Sequence, residues 1–214
     1  MKKVYQPAII LFIILQFVVA ASIKDNQIPD SKIKMLNGRY AKLSDFNEDG
    51  PMIINFWTTW WPFCERQLAY LDQLNSNFSE AGLKVLAVNV NKPQILNQVR
   101  PYINKRKYRF DVSVDPRGKL AKQFGVKGFP SLYLVDKDGT IIHESAGYED
   151  GQENSYLEEL TKYFQSENIK YADFHYEKQL NSKKDAGIDI DFWTKGLPIL
   201  QLYPRCWSYK SSTS

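Results

Sequence analysis

One stretch limits the fold of this chain more than any other. Pro51 is followed by Met52-Ile53-Ile54-Asn55-Phe56-Trp57, and Pro62 then opens a segment with apolar residues at Cys64, Leu68, Leu71, Leu74 and Phe78. Gly82 closes it, and Leu83-Lys84-Val85-Leu86-Ala87-Val88-Asn89-Val90 comes next. A nearly unbroken apolar run fits a strand buried on both faces, as in a parallel sheet. Spacings of three and four are those of a helix with one buried side. Proline suits the first helical turn, where its missing N–H costs nothing, and glycine suits a C-cap with positive φ. Residues 51–90 therefore predict a β-α-β unit with a right-handed crossover.

The flanking segments extend that unit. Residues 33–43 set Asn37-Gly38 between two short mixed runs, a hairpin signal because both residues tolerate positive φ. A helix is predicted over Pro93–Lys105, with Ile95, Leu96, Val99, Tyr102 and Ile103 on its apolar side. Phe110–Val114 reads as a short strand, Asp115–Gly118 as a turn and Lys119–Phe124 as a short helix. Ser131–Val135 and Thr140–Glu144 flank Asp136-Lys137-Asp138-Gly139, a turn sequence that joins antiparallel strands. A last helix, Glu153–Phe164, carries Leu157, Leu160 and Phe164. Parallel pairing first and antiparallel pairing later predict an α/β fold, a mixed central β-sheet sandwiched by helices.

The rest of the chain sets bounds on chemistry. Of 214 residues only two are cysteine, Cys64 and Cys206, too few for a four-cysteine zinc or iron–sulfur site or for a disulfide scaffold. His143 and His175 lie in no ligand-like spacing, so no metal and no cofactor is expected. The net charge of +4 includes Lys2 and Lys3, and a balance this even does not call for nucleic acid. Those two lysines precede an apolar run, Ala8–Ala21, broken only by Gln16. Such a start reads as a signal peptide cleaved after Ala20 or Ala21, or as a retained N-terminal membrane anchor. Either reading implies an exported protein, periplasmic or secreted, in a compartment where disulfides persist. The predicted organisation is an address over 1–21, a linker over 22–29, one domain over 30–165 and a C-terminal extension over 166–214. In the extension, Ile169, Tyr176 and Leu180 allow a further helix, and Ile188, Ile190 and Phe192 alternate as a strand would. Lys105-Arg106-Lys107 reads as a solvated helix end.

Five features occur in one register: the hairpin, Asn55-Phe56-Trp57-Thr58-Thr59-Trp60, the strand over residues 82–90, Val126-Lys127-Gly128-Phe129-Pro130-Ser131 and Gly147. Together they resemble the thioredoxin superfamily, within it the exported TlpA/ResA-like group with its redoxin and AhpC/TSA-type domains. The resemblance implies a thioredoxin-like fold and thiol–disulfide exchange on exported proteins, such as keeping apocytochrome cysteines reduced in cytochrome c maturation. It implies an attacking cysteine at a helix N-terminus, where the dipole favours the thiolate, and a resolving cysteine three residues later. It also implies a cis-proline beside the site at Pro130, next to backbone that pairs with an extended client.

The sequence departs from that pattern at the decisive position. Trp61 stands where the attacking cysteine belongs, Cys64 matches the resolving cysteine, and Gln67 stands where many relatives have a proton-managing glutamate. The two-thiol cycle cannot run without a sulfur at position 61, and a tryptophan codon can differ from a cysteine codon by one base. Three readings follow. The domain binds extended polypeptide without catalysis, through an aromatic surface of Trp57, Trp60, Trp61, Phe63 and Phe129 beside Pro62 and Pro130. Alternatively it keeps redox chemistry on thiol-bearing clients, with Cys206 as partner to Cys64 or with Cys64 alone. The third reading is a peroxiredoxin-type peroxidase. Cys64 lies on the helix's apolar stripe, where burial would raise the thiol's pKa, so a small core hydrophobe is the plain alternative.

Overall fold

A computed structural model describes residues 26–149 and 151–174. The N-terminal address, the first half of the predicted linker, Cys206, His175 and the strand-like part of the extension lie outside the described residues.

Seven strands form one mixed sheet. They are β1 (Lys32–Met35), β2 (Tyr40–Lys42), β3 (Met52–Trp57), β4 (Lys84–Asn89), β5 (Asp111–Val114), β6 (Ser131–Val135) and β7 (Ile141–Ala146). Their order is β2-β1-β5-β4-β3-β6-β7. The central β3 pairs parallel with β4, from Met52 opposite Lys84 to Trp57 opposite Asn89. On its other side it pairs antiparallel with β6, from Met52 opposite Val135 to Phe56 opposite Ser131. All six residues of β3 are buried, as the apolar run requires of a strand covered on both faces.

Alternation along β3 divides the core into two layers. Met52, Ile54 and Phe56 join Leu86, Val88, Tyr133 and Val135 in a cluster closed by Leu120 and Ala121 of helix α3 (Lys119–Gln123). Ile53, Asn55 and Trp57 face the opposite layer. There lie α1 (Pro62–Phe78), α2 (Val99–Arg106) and α4 (Glu153–Ser166). The α1 helix touches α2 through Glu65 and Arg106, and touches α4 through the Phe78–Phe164 ring pair, with centroids 5.5 Å apart. Past a short 3₁₀ turn, Gly82 takes φ 89°, and a β-carbon on Gly50 would lie 2.8 Å from its carbonyl oxygen. Two glycines are thus needed where the segment before β3 passes under the end of α1.

Three segments differ from expectation. The helix predicted over Pro93–Lys105 splits into a 3₁₀ segment, Pro93–Gln98, and α2. Pro101 has no N–H for the Asn97 carbonyl, so an α-helix cannot run unbroken through that turn. Residues 26–28, within the predicted linker, are bound to the β6–β7 turn: Ile28 N–H donates to Gly139 O at 2.9 Å and Ile141 N–H to Asn26 O at 2.7 Å. Beyond α4 the chain reverses, and residues 169–174, where the further helix allowed in the extension would begin, are not helical; Tyr176 and Leu180 of that stretch lie outside the described residues. Asn168 takes φ 54°, Ile169 N–H donates to Phe164 O at 2.8 Å and Asn168 N–H to Gln165 O at 3.2 Å. These are the paired bonds of a Schellman C-cap. Residues 169–174 then lie over α1 and α4 without regular structure, with Tyr171 stacked on Phe164 and Phe174 against Phe78 and Tyr70.

Candidate functional site

The site grows from the β3–α1 junction. After Trp57 the chain turns through Thr58–Trp60, and Trp61 takes the N-cap of α1 with an extended backbone, φ −100° and ψ 114°. Its side chain has no oxygen to accept the free N–H groups of the first turn, and no side-chain cap is made. Pro62 occupies the first helical position and is exposed. The loop is held from below by two asparagines that sequence reasoning did not single out. Asn91 accepts Thr59 N–H at 3.0 Å and donates to Thr59 Oγ1 at 2.7 Å and to Ile95 O at 3.3 Å. Asn89 in turn accepts Asn91 N–H at 3.0 Å. Both are fully buried, which is why their amides must be matched. The alternating pair Asn89-Val90-Asn91 at a strand end was the available signal.

Cys64 sits in the first turn of α1, its N–H donating to Trp61 O at 3.0 Å, and its side chain has no exposure. Burial pushes the thiol from 9.0 up to about 12, while the backbone and side chain of Thr58 pull weakly the other way. The helix N-terminus alone would favour a thiolate by a fraction of this amount, so desolvation wins. Cys64 is a free thiol.

Beside it stands a column of rings. Trp57 packs on Tyr102 with centroids 5.2 Å apart, and the Arg106 guanidinium lies 3.7 Å from the Tyr102 ring centroid. Arg106 also donates to Glu65 Oε1 from both Nε and Nη2, at 3.0 and 2.7 Å. Burial first, and Glu65 second, raise the Tyr102 hydroxyl pKa. The expected solvated helix end therefore holds for Lys105 and Lys107 but not for Arg106, which is folded back over an aromatic face.

One turn further along α1, Gln67 is fully buried and donates from Nε2 to Tyr156 Oη at 3.1 Å. Ser145 Oγ donates to the same hydroxyl oxygen at 3.1 Å. The chain Gln67–Tyr156–Ser145 links α1, α4 and β7 beneath the site. An amide cannot deliver or accept a proton as a glutamate does, and burial raises the Tyr156 hydroxyl pKa, so this chain orients groups and keeps its protons at neutral pH.

Above Cys64, aromatic rings follow one another across the surface. Trp60, 44% exposed, meets Trp61 edge-on at 5.9 Å; Trp61 meets Phe63 at 5.6 Å; Phe63 meets Tyr148 at 5.9 Å. The Arg66 guanidinium lies 5.6 Å from the Phe63 centroid. Tyr148 was not a sequence candidate. It reaches the row because Gly147 N–H donates to Pro130 O at 2.8 Å, which turns the chain at the end of β7 toward α1. Its hydroxyl donates to the buried Glu153 carboxylate, whose other oxygen accepts Gly151 N–H at 2.9 Å. Of the remaining expected members, Trp57 is wholly in the core and Pro130 is buried, its bond to Phe129 cis. Phe129 is half-buried and packs toward the α3-side cluster, because the chain enters β6 from that side. The row is thus Trp60, which is exposed, followed by Trp61, Phe63 and Tyr148, each partly buried. Among the described residues no group of three or more acidic, histidine or cysteine side chains could hold a metal.

A mixed sheet with a parallel β3-α1-β4 unit, a buried cysteine in the first turn of α1 and a cis-proline at the mouth of β6 defines a redoxin-type domain of the thioredoxin superfamily. Residues 25–144 match the AhpC/TSA family, and the chain belongs to that family. It is 29% identical over 136 residues to the thiol-disulfide oxidoreductase ResA of Bacillus thuringiensis subsp. konkukian, covering 63% of this chain and 77% of that protein. Among solved structures, a candidate thiol:disulfide interchange protein DsbE from Chlorobium tepidum superposes with a TM-score of 0.59 at 23% identity, covering 64% of this chain and 94% of that one. Peroxidoxin BcpB from Mycobacterium tuberculosis superposes with a TM-score of 0.56 at 18% identity, over 64% and 95% of the two chains. At these identities the two superpositions establish the fold.

Proposed function

We propose that this domain is a member of the thiol-disulfide oxidoreductase group that binds extended polypeptide and no longer runs the two-cysteine exchange. The observation that carries this reading is the pairing at the N-terminus of α1. A tryptophan occupies the attacking position, and the remaining thiol is sealed below it with a pKa of about 12. Thiol–disulfide exchange needs a thiolate with access to its target, and Cys64 offers neither. A peroxidase meets the same obstacle, since it too needs an accessible thiolate. What the surface does offer is four adjoining rings, large in contact area and low in side-chain entropy, next to the loop ending at Pro130. We read the chain as exported, with residues 8–21 as its address or anchor, so its clients are exported, thiol-bearing or extended polypeptides.

The test uses the full-length protein and a reduced, unfolded polypeptide, followed by tryptophan fluorescence. Trp61→Ala and Tyr148→Ala are each expected to raise Kd about tenfold, the loss of one well-packed aromatic anchor at about 1.4 kcal/mol. Unchanged Kd in both variants would sink the binding reading. Catalytic reduction of an insulin-type disulfide by the wild-type protein would overturn the claim that exchange is lost.

A further inference from the structure

The outer face of the β1–β2 hairpin carries an electrostatic cost that the domain does not relieve. Ile33 and Met35 point into the core, so Lys32 and Lys34 point to solvent. Tyr40 and Lys42 share that face, because Lys32 stands opposite Lys42 and Lys34 opposite Tyr40. Like charges directly opposite one another in an antiparallel pair are destabilising. None of the three lysines forms an ion pair among the described residues, and the nearby Asp45 carboxylate accepts the Lys42 backbone N–H at 2.8 Å. Tyr40 is 61% exposed, with the Lys32 ammonium 5.0 Å from its ring centroid. Arg39 and Arg100 are also exposed, and the Arg100 guanidinium donates to Leu36 O at the hairpin turn.

We propose that this face, Lys32, Lys34, Tyr40 and Lys42, docks on an anionic phospholipid bilayer; the proposal rests on the reading of residues 8–21 as a retained membrane anchor. Only residues 22–25 separate that apolar run from Asn26, which is already hydrogen-bonded into the fold. Four residues span at most about 14 Å, so Asn26, six residues before Lys32, is held within little more than a Debye length of the headgroups, which is roughly 8–10 Å at ordinary salt. Lysines beside an exposed tyrosine are the residue types that settle at headgroup level. A tether this short presents the domain to lipid before any soluble acidic polypeptide, and so favours the bilayer as occupant.

The test inserts the full chain into vesicles of phosphatidylcholine alone or with phosphatidylglycerol, and follows acylation of each lysine by peptide mass. Lys32, Lys34 and Lys42 are expected to react about fivefold more slowly on the anionic vesicles, the gain one lysine contributes at such a surface. Lys162 on α4 should react alike on both, and salt near 1 M should abolish the difference. Lys34→Gln should weaken the protection of Lys32 and Lys42 while leaving the folded state as stable or more so, since a positive charge is removed. Equal rates on both vesicles would overturn the proposal. So would protection by polyglutamate in place of lipid but not by anionic vesicles. Failure of the chain to sediment with neutral vesicles would refute the anchor and the proposal with it, whereas sedimentation without differential protection refutes the face alone.

Discussion

At position 64 the conflict between helix electrostatics and burial is resolved by magnitude, and the result is measurable. The ordinary thiol titrates near 9.0 and the folded one near 12. Below pH 9 both folded and unfolded chains keep the proton, and the contribution to stability is fully present. Between pH 9 and 12 the unfolded chain releases a proton that the folded chain retains, so stability falls as pH rises. At about 1.4 kcal/mol per pH unit the loss reaches about 4 kcal/mol at pH 12. Cys64→Ala should therefore flatten the alkaline fall in urea-unfolding free energy, relative to wild type, by about 2 kcal/mol at pH 10.5. Parallel curves would show the thiol to be solvated. Trp61→Cys tests the other half of the site. With a sulfur at the N-cap, three residues before Cys64, disulfide reductase turnover should rise above that of the wild type, and a 61–64 disulfide should form on oxidation. The chemistry-bearing positions 61, 64 and 67 were legible from sequence because the motif around Pro62 could be aligned with that of the family it resembles. Tyr148 was not, since it joins Phe63 from 85 positions away through a turn set by Gly147 and Pro130.

Elements were legible where period and punctuation agreed. The nearly all-apolar β3, the three-and-four spacing of α1 and the turn at Asp136–Gly139 all formed where expected. One departure came from a local rule that the apolar periodicity concealed, since Pro101 divided the helix after β4, whereas α4 ended within two residues of expectation before a Schellman cap at Asn168 turned the chain back. The β3–α1 loop shows what pattern cannot reveal, because its support comes from Asn89 and Asn91 at the end of β4. Asn91→Ala removes one acceptor and two donated bonds, leaving Thr59 N–H without its partner. It should lower unfolding free energy by about 1–3 kcal/mol and broaden the fluorescence of Trp60 and Trp61. A change below about 0.5 kcal/mol would mean that water replaces the amide and that the loop is held by its flanks.

At the scale of the molecule, the described residues fold as one α/β unit around β3, its sheet built from two parallel pairs, β3–β4 and β4–β5, two hairpins, β1–β2 and β6–β7, and the antiparallel pairings β1–β5 and β3–β6. Aromatic packing ties α1 and α4 to the start of the extension, since Phe78 meets Phe164, Tyr171 and Phe174 at once. Phe78→Ala should cost about 3–5 kcal/mol and release residues 169–174 to protease before global unfolding. Loss of stability without that early cleavage would show the segment to be held elsewhere. Finally, the N-cap of α1 is shaped by Pro62 and by the asparagine clamp, and the residue at position 61 contributes no capping bond. The hydrogen bonds that set the loop therefore do not depend on the side chain at position 61, which is held by its ring contacts with Trp60 and Phe63. On the proposed reading, a lineage built this way can drop a trade and take it up again through a single codon, with the loop's hydrogen-bonded frame carried across both changes.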